Sequence, residues 1–419
     1  MKNSRTTLTE KLGRGMLYTL CFAIPFSIAA IEIAFPILLI SWLAGWQVWK
    51  GNSRSVWATD EGQLILRPLL AFAAICAWSV SFSNYPLTSL EGLIYKTFEY
   101  ILFFLILADV SNRPGTAKRV VHLLMVAGLF VVAHGLIQEW AIRHFSGPGV
   151  PLDPIRGKPL IYERMVGPYS NPIDMATFLM VVSLAVIPSL MHQPSRRQAA
   201  GWPLWLILIG SISWTESKGA TLGLASGILF LLFINFKNKQ MWLIAGTSLV
   251  VSILVFVVFK QKNLLKIICF TDPGSQERII MWAAALEMIR ARPVTGHGLN
   301  TFMANYMSYV SGPNQGPAYA HNCFFQIAAE TGVISLLCFL LFLVRLFLEC
   351  LKNLRKYLLD TETSLPLMGL LSGLFAFLVQ SAFDTNLYSL RQAVLFWCLA
   401  GIIFGSSRSF LKKPAGEIT

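Results

Sequence analysis

The chain has 419 residues, 55% of them hydrophobic and only 13% charged, with a mean hydropathy of +0.60, which excludes a soluble globular protein. Its 34 Lys and Arg against 21 Asp and Glu give a net charge of +13, and in so apolar a chain these cations sit in the loops and caps, where they report topology. Seven cysteines scattered without a CxxC pair provide neither a disulfide framework nor a zinc site.

Met1 to Gly15 carries Lys2, Arg5, Lys11 and Arg14 ahead of an apolar stretch that runs to Trp49 without a small-residue cleavage site. It reads as a retained membrane helix rather than a signal peptide. About 20 apolar residues cross the ~30 Å hydrocarbon layer, and twelve runs of that order are expected as spans: 15–31, 33–49, 64–83, 92–110, 119–140, 172–190, 202–215, 218–236, 241–259, 321–349, 365–384 and 387–406. Two pairs form tight hairpins, turning near Glu32 and at Thr215 to Lys218. The positive-inside rule tests this count. Lys50/Arg54, Arg113/Lys118/Arg119, Arg196/Arg197, Lys237/Lys239, Lys352/Arg355/Lys356 and Arg408/Lys412/Lys413 fall on the side of the N-terminal cations. Both termini are therefore expected in the cytoplasm.

Two longer segments on the opposite side are also basic. Residues 141–171 carry Arg143, Arg156, Lys158 and Arg164, and residues 260–320 carry Lys260, Lys262, Lys266, Arg278, Arg290 and Arg292. Long loops cross regardless of charge, but loops of this length are usually functional. Gln276 to Arg290 reads as an amphipathic helix with the apolar stripe Ile279, Met281, Trp282, Leu286 and Ile289. The organisation expected is an all-α polytopic membrane protein. Residues 1–259 hold nine spans and the shorter outer loop at 141–171, residues 260–320 the large outer loop, and residues 321–419 three spans and a cytoplasmic tail. A basic roof over such a bundle points to an anionic ligand reaching it from the outer membrane surface.

Ionisable groups inside spans cost a few kcal/mol each and need a partner or a wet cavity. If a helix begins near His321, then Asn322, Gln326 and Glu330 recur every fourth residue as one polar stripe, with His321 at its outer mouth. An imidazole there can take a proton from a sugar hydroxyl near neutral pH, or it can simply cap the helix. Arg164, Lys218 and Arg278 end on the same outer face from three segments. A guanidinium offers a diphosphate paired hydrogen bonds and an ammonium offers a point charge, while the plain alternative is contact with lipid headgroups. Glu216 is the expected partner of Lys218, Lys96 and Glu99 are expected to pair on one helix face, Asp384 and Arg391 either pair or line the cavity, and His297 belongs to a turn. No P-loop, dinucleotide fingerprint, HExxH or GxSxG motif is present, so ATP use and zinc or serine hydrolysis have no support.

Four segments, RMVGPYSNPIDMA (164–176), TESKGATLG (215–223), ERIIMWAAALEMIRARPVTGHGLNTF (277–302) and AHNCFFQIAAETGVIS (320–335), resemble in order and placement the bacterial O-antigen ligase and polymerase superfamily. The resemblance departs at Lys218, which stands where that family usually has arginine. It implies a GT-C-like glycosyltransferase of the inner membrane with its active site facing the periplasm. Such an enzyme moves a glycan from undecaprenyl diphosphate to the lipid A core oligosaccharide in a metal-independent, inverting transfer without cofactor. Membrane lipids surround it and nucleic acid plays no part. Carried onto this chain, His321 activates the acceptor, Arg278 and Arg164, with Lys218, hold the diphosphate, and Asn322, Gln326, Glu330 and Asn171 orient or bind sugar. An O-antigen polymerase using the same donor is the near alternative. A lipid-linked glycan flippase is the alternative of another class, although the paired repeats expected of a transporter are absent from the sequence.

Overall fold

The structure, a computed structural model, describes residues 2–51, 55–145, 164–191, 195–234, 246, 272–310, 316–356 and 361–409. The expected span at 241–259, apart from Gly246, the cations Arg54, Arg156, Lys158, Lys237, Lys239, Lys260, Lys262, Lys266, Lys412 and Lys413, and parts of both outer loops lie outside the described residues.

Every regular element among the described residues is helical. In chain order these are α1 (Lys2–Ala23), α2 (Ile28–Gly51), a 3-10 turn (Val56–Ala58), α3 (Asp60–Val80), α4 (Pro86–Gly92), a π-turn (Leu93–Phe98), α5 (Glu99–Ser111) and α6 (Thr116–Phe145). Then come α7 (Pro172–Met191), α8 (Ser195–Trp214), α9 (Lys218–Ile234), α10 (Pro273–Ala291), α11 (Phe302–Tyr306), α12 (Cys323–Thr331), α13 (Val333–Lys356), α14 (Thr361–Ser381), a 3-10 turn (Asn386–Tyr388) and α15 (Leu390–Arg408). Seven of these helices are long and apolar enough to cross a membrane, and α8 and α9 hold shorter apolar stretches. Their outward faces are apolar too: Ile33 and Ile40 on α2, Leu70 on α3, Phe130 on α6, Phe233 on α9 and Val344 on α13 are all exposed. Only a lipid environment solvates such faces, and closed helices are what satisfies backbone polar groups there. The chain is a multi-pass membrane protein.

Inside the bundle α7, α14 and α15 are largely buried, while α2, α3 and α13 expose more than half of their apolar stretches. Lipid tails are as apolar as leucine, so helix contact here rests on close packing of small residues. Gly401 and Gly405 bring α15 onto α5, where a Cβ at Gly405 would collide with the Ala108 carbonyl oxygen. The same logic joins α14 to α7, where Gly369 lies against the backbone of Ala185.

The structure moves three expected boundaries. The first hairpin turns at residues 24–27, ahead of Glu32, which lies inside α2. Pro25 and the Phe26 and Ser27 backbone bonds to Ala23 end the first helix early. The expected single span at 321–349 is two helices, because Gly332 adopts φ 87 between α12 and α13, a left-handed step that only glycine takes cheaply. The amphipathic helix extends over Pro273–Ala291, but its packed face is Met281, Ala284, Ala285, Met288 and Ile289, whereas Ile279 and Leu286 are exposed.

Long-range bonds gather the turns at one end. Arg391 donates to the Pro25 and Pro168 carbonyls at 3.1 and 2.8 Å, and Arg292 donates to the Phe82 carbonyl at 2.9 Å. At the other end Arg113 pairs with Glu10 and Arg408 with Glu61. Replacing Gly405 with leucine is expected to lower stability by at least about 1–3 kcal/mol, read as a fall in the melting temperature of the detergent-purified protein. Gly210→Ala, with nothing within 4 Å of its added Cβ, should leave that temperature unchanged or slightly higher.

Candidate active site

The site begins with a cap. Asp272 starts α10 by accepting from the Ser275 amide at 3.2 Å and its hydroxyl at 2.7 Å, with Pro273 in the first turn, an arrangement suited to a helix start. Lys218, the first residue of α9, forms an ion pair with the same carboxylate. Burial pushes the Asp272 carboxyl up, but the hydrogen bonds from Lys218 and Ser275 outweigh it and hold the group down at about 2. The amphipathic helix is thus tethered to the turn between α8 and α9. The partner of Lys218 is Asp272 rather than the expected Glu216, because the helix cap delivers a carboxylate to the head of α9 while Glu216, at φ 57, turns toward Arg164.

From that tether α10 runs over α12. The Trp282 indole N–H donates to the His321 carbonyl at 3.4 Å, and its ring lies against Phe325 and Phe383. Arg278 sits four residues earlier and so shares that face one turn nearer the tether. It is partly exposed, and no hydrogen bond or ion pair among the described residues engages its side chain.

His321 takes a left-handed backbone, φ 46, uncommon outside glycine, just before α12 starts. Its Nδ1 faces Asp384 Oδ1 at 3.2 Å, the histidine side chain being 33% exposed and the aspartate 9%. A carboxylate only accepts, so Nδ1 donates, and in the neutral ring Nε2 is left as the acceptor. Nε2 has no partner among the described residues. The Asp384 turn is itself locked: the Cys323 thiol donates to the Asp384 carbonyl and to Asn386 Oδ1, which also accepts from the Ser381 hydroxyl.

Beneath the histidine lies Glu330. Its Oε1 accepts from the Phe302 amide at 3.1 Å and Gln326 Nε2 at 3.2 Å, and its Oε2 accepts from the Asn300 amide at 2.9 Å and the Tyr388 hydroxyl at 3.1 Å. Gln326 Oε1 accepts from the Ala320 amide, the residue before His321. Asn322 caps α12 through the Phe324 and Phe325 amides, both at 3.0 Å. The polar stripe is therefore occupied in holding the His321 turn. Asn171 is likewise a cap, accepting from the Ile173 amide at the head of α7.

The remaining cation, Arg164, lies 3.3 Å from Glu216, and both are about two-fifths exposed. Lys96 does not pair with Glu99. It donates to Asn300 Oδ1 at 2.8 Å, because the π-turn directs it at the roof loop. Asp384 and Arg391 do not pair with each other, the aspartate having taken His321 and Arg391 bonding two turn carbonyls. His297 is buried in its expected turn and bonds to the Met288 carbonyl. Burial, the first cause, holds its imidazole below the ordinary value. The dyad partner Asp384, 63 residues from His321, and Trp282 as its roof are the features with no signal in local spacing. Among the described residues no cluster of His, Cys, Asp and Glu could hold a metal ion.

The Asp272 tether carries a pH signature. Its pKa is depressed below the ordinary 3.8, so the stabilisation it provides is complete above that value and is lost as pH falls toward about 2. Hydrogen-exchange protection of residues 273–291 is expected to hold down to about pH 5 and to fall across this window, whereas Lys218→Met should weaken it already at neutral pH.

A family model described as O-antigen ligase matches residues 203–340, which include the α8–α9 turn, α10 and α12. A provisionally named polysaccharide ligase of Rickettsia felis is 28% identical over 191 residues, 42% of this chain and 46% of that protein. One from Rickettsia conorii is 24% identical over 379 residues, covering 81% of this chain and 87% of the relative. Another from Rickettsia prowazekii is 24% identical over 301 residues, 68% of each. The chain thus spans about half the length of the first relative and most of the second. In the matched segment, which carries the roof helix and the histidine turn, and across these relatives, the chain is similar to the O-antigen ligase family.

Proposed function

We propose that the protein is a glycosyltransferase that moves a glycan from undecaprenyl diphosphate to the lipid A core oligosaccharide, in lipopolysaccharide biosynthesis. The reading puts it in the bacterial inner membrane, both termini cytoplasmic and the active site facing the periplasm, in accord with the positive-inside pattern. The observation that carries it is the His321–Asp384 pair at 3.2 Å, with the Arg278 helix laid over it by Trp282.

In this mechanism Nε2 of His321 takes the proton of an acceptor hydroxyl as its oxygen attacks the anomeric carbon. The bond from that carbon to the diphosphate oxygen breaks from the opposite face, the bonding pair leaves with undecaprenyl diphosphate, and the configuration inverts. Asp384 holds the ring in the accepting tautomer and stabilises the imidazolium that forms. Arg278 offers guanidinium donors to the charge growing on the leaving diphosphate, where fixed cations act most strongly if water is thin. Arg164 and Lys218 join it by exchanging Glu216 and Asp272 for phosphate oxygens. Asn322, Gln326 and Glu330 act as positioning residues for the His321 turn, and Asn171 positions the head of α7 below the 164–171 loop.

With purified donor and acceptor, His321→Ala is expected to lower turnover by about 10²–10⁴-fold and Arg278→Ala by about 10²-fold or more, with folding checked by gel filtration. Asp384→Asn should lower kcat with little change in KM. In a cell lacking its own ligase, the wild type should place long glycan on lipid A core, read by gel of extracted lipopolysaccharide. Glycan added instead to a second carrier-linked glycan would make the protein a polymerase, and carrier movement without transfer would make it a flippase. Full activity of His321→Ala would remove the proposed base.

A further inference from the structure

On the far side of α12 from the Trp282 roof lies a small pocket, partly open at its mouth. Its walls come from α3, the π-turn, α5, the 299–300 loop, α12, α13, α15 and the Asn386–Tyr388 turn, and Phe72, Tyr100, Ile327, Phe339, Leu387 and Trp397 make it mostly apolar. Lys96 also lines it, together with Asn300 and Tyr388. A π-turn inserts an extra residue into a helix, and such turns are common at functional sites. Here it brings Lys96 from the membrane part of the chain to the pocket.

The donors of that lysine are only partly used. Its ammonium has three donors, and one is used on Asn300 Oδ1 at 2.8 Å. It lies 5.9 Å from the Tyr388 ring centre, a weak cation–π contact. Among the described residues no carboxylate comes within ion-pair distance of it, and Glu330, behind Asn300, already accepts four hydrogen bonds. Glu330 acts on its charge from behind Asn300, and an anionic ligand would take the donors that Asn300 leaves. Its neighbours Ile94, Tyr95 and Phe98 on the same turn are exposed apolar residues, which places bilayer lipid beside the pocket.

From these observations we infer a second ligand site, independent of the transferase reading, in which Lys96 takes the phosphate of a bilayer phospholipid and the apolar walls take the adjoining chain. The lipid would brace Asn300 and Tyr388, both of which donate to Glu330.

The test is native mass spectrometry of the full-length protein, delipidated in neutral detergent and titrated with phosphatidylglycerol or with phosphatidylcholine of the same chains. Wild type should retain one phosphatidylglycerol under collisions that strip phosphatidylcholine. Lys96→Met should weaken that retention by about tenfold or more, the loss of a charged hydrogen bond. Ile327→Phe, which fills the pocket and keeps Lys96, should weaken it as well, whereas Lys118→Met, a cation from the other end of the bundle, should not. Equal retention of the two lipids, or unchanged retention in both pocket variants, would overturn the site. Inorganic phosphate raising the melting temperature as much as phosphatidylglycerol would overturn the lipid as its ligand.

Discussion

A carboxylate with no exposure inside an apolar bundle is tolerable only when its lone pairs are filled, and Glu330 fills them with four donors from three separate segments. Removing both donors of either oxygen would leave a buried acceptor unmet, at a cost of about 1–3 kcal/mol. That penalty is what makes the arrangement specific. The roof loop at 298–302, the middle of α12 and the turn at 386–388 must meet at one point, and two further links then follow. Gln326 passes the constraint to Ala320 and so to the His321 turn, while Tyr388 passes it to the turn that contains Asp384. The histidine and its aspartate come from segments 63 residues apart, and a single buried acid sets both.

The roof is held differently. The packed apolar face of α10 is narrow. Its buried part is Ala284, Ala285 and Met288, so its position depends also on polar bonds at its start and middle. At the start, the Asp272 cap is pinned by Lys218. Midway, Trp282 bonds the His321 carbonyl. At the tether one carboxylate oxygen takes one ammonium, and no forked geometry is called for.

At the mouth the resting state is electrically paired. Arg164 faces Glu216 and Lys218 faces Asp272, while no hydrogen bond or ion pair engages the Arg278 side chain among the described residues. In the proposed transfer the donor's phosphates would meet one available guanidinium first and two cations that must change partners. The Arg164–Glu216 pair is exposed on both sides and is worth at most about 1 kcal/mol, whereas the Lys218–Asp272 pair is more buried and costs more to open.

What the sequence alone determined is what repeats along the chain. Apolar runs of span length set the helices, basic loops carry the alternation expected of them, and the four-residue spacing of Asn322, Gln326 and Glu330 set a polar face on one of them. Hydropathy also located the hairpin at Thr215 to Lys218 and the amphipathic segment from Gln276. Where single residues compete, it stopped: Pro25 ended the first helix ahead of Glu32, and Gly332 cut the 321–349 run into two helices, since one left-handed residue leaves average hydropathy unchanged. Tertiary structure alone decided partners. Lys96 found Asn300 instead of Glu99, Lys218 found Asp272 instead of Glu216, and His321 found Asp384. The reason is physical. Charge and hydrogen bonding act over a few ångströms in space whatever the separation in sequence, and a helix neighbour three residues away gains little over a better-aimed group delivered by another helix.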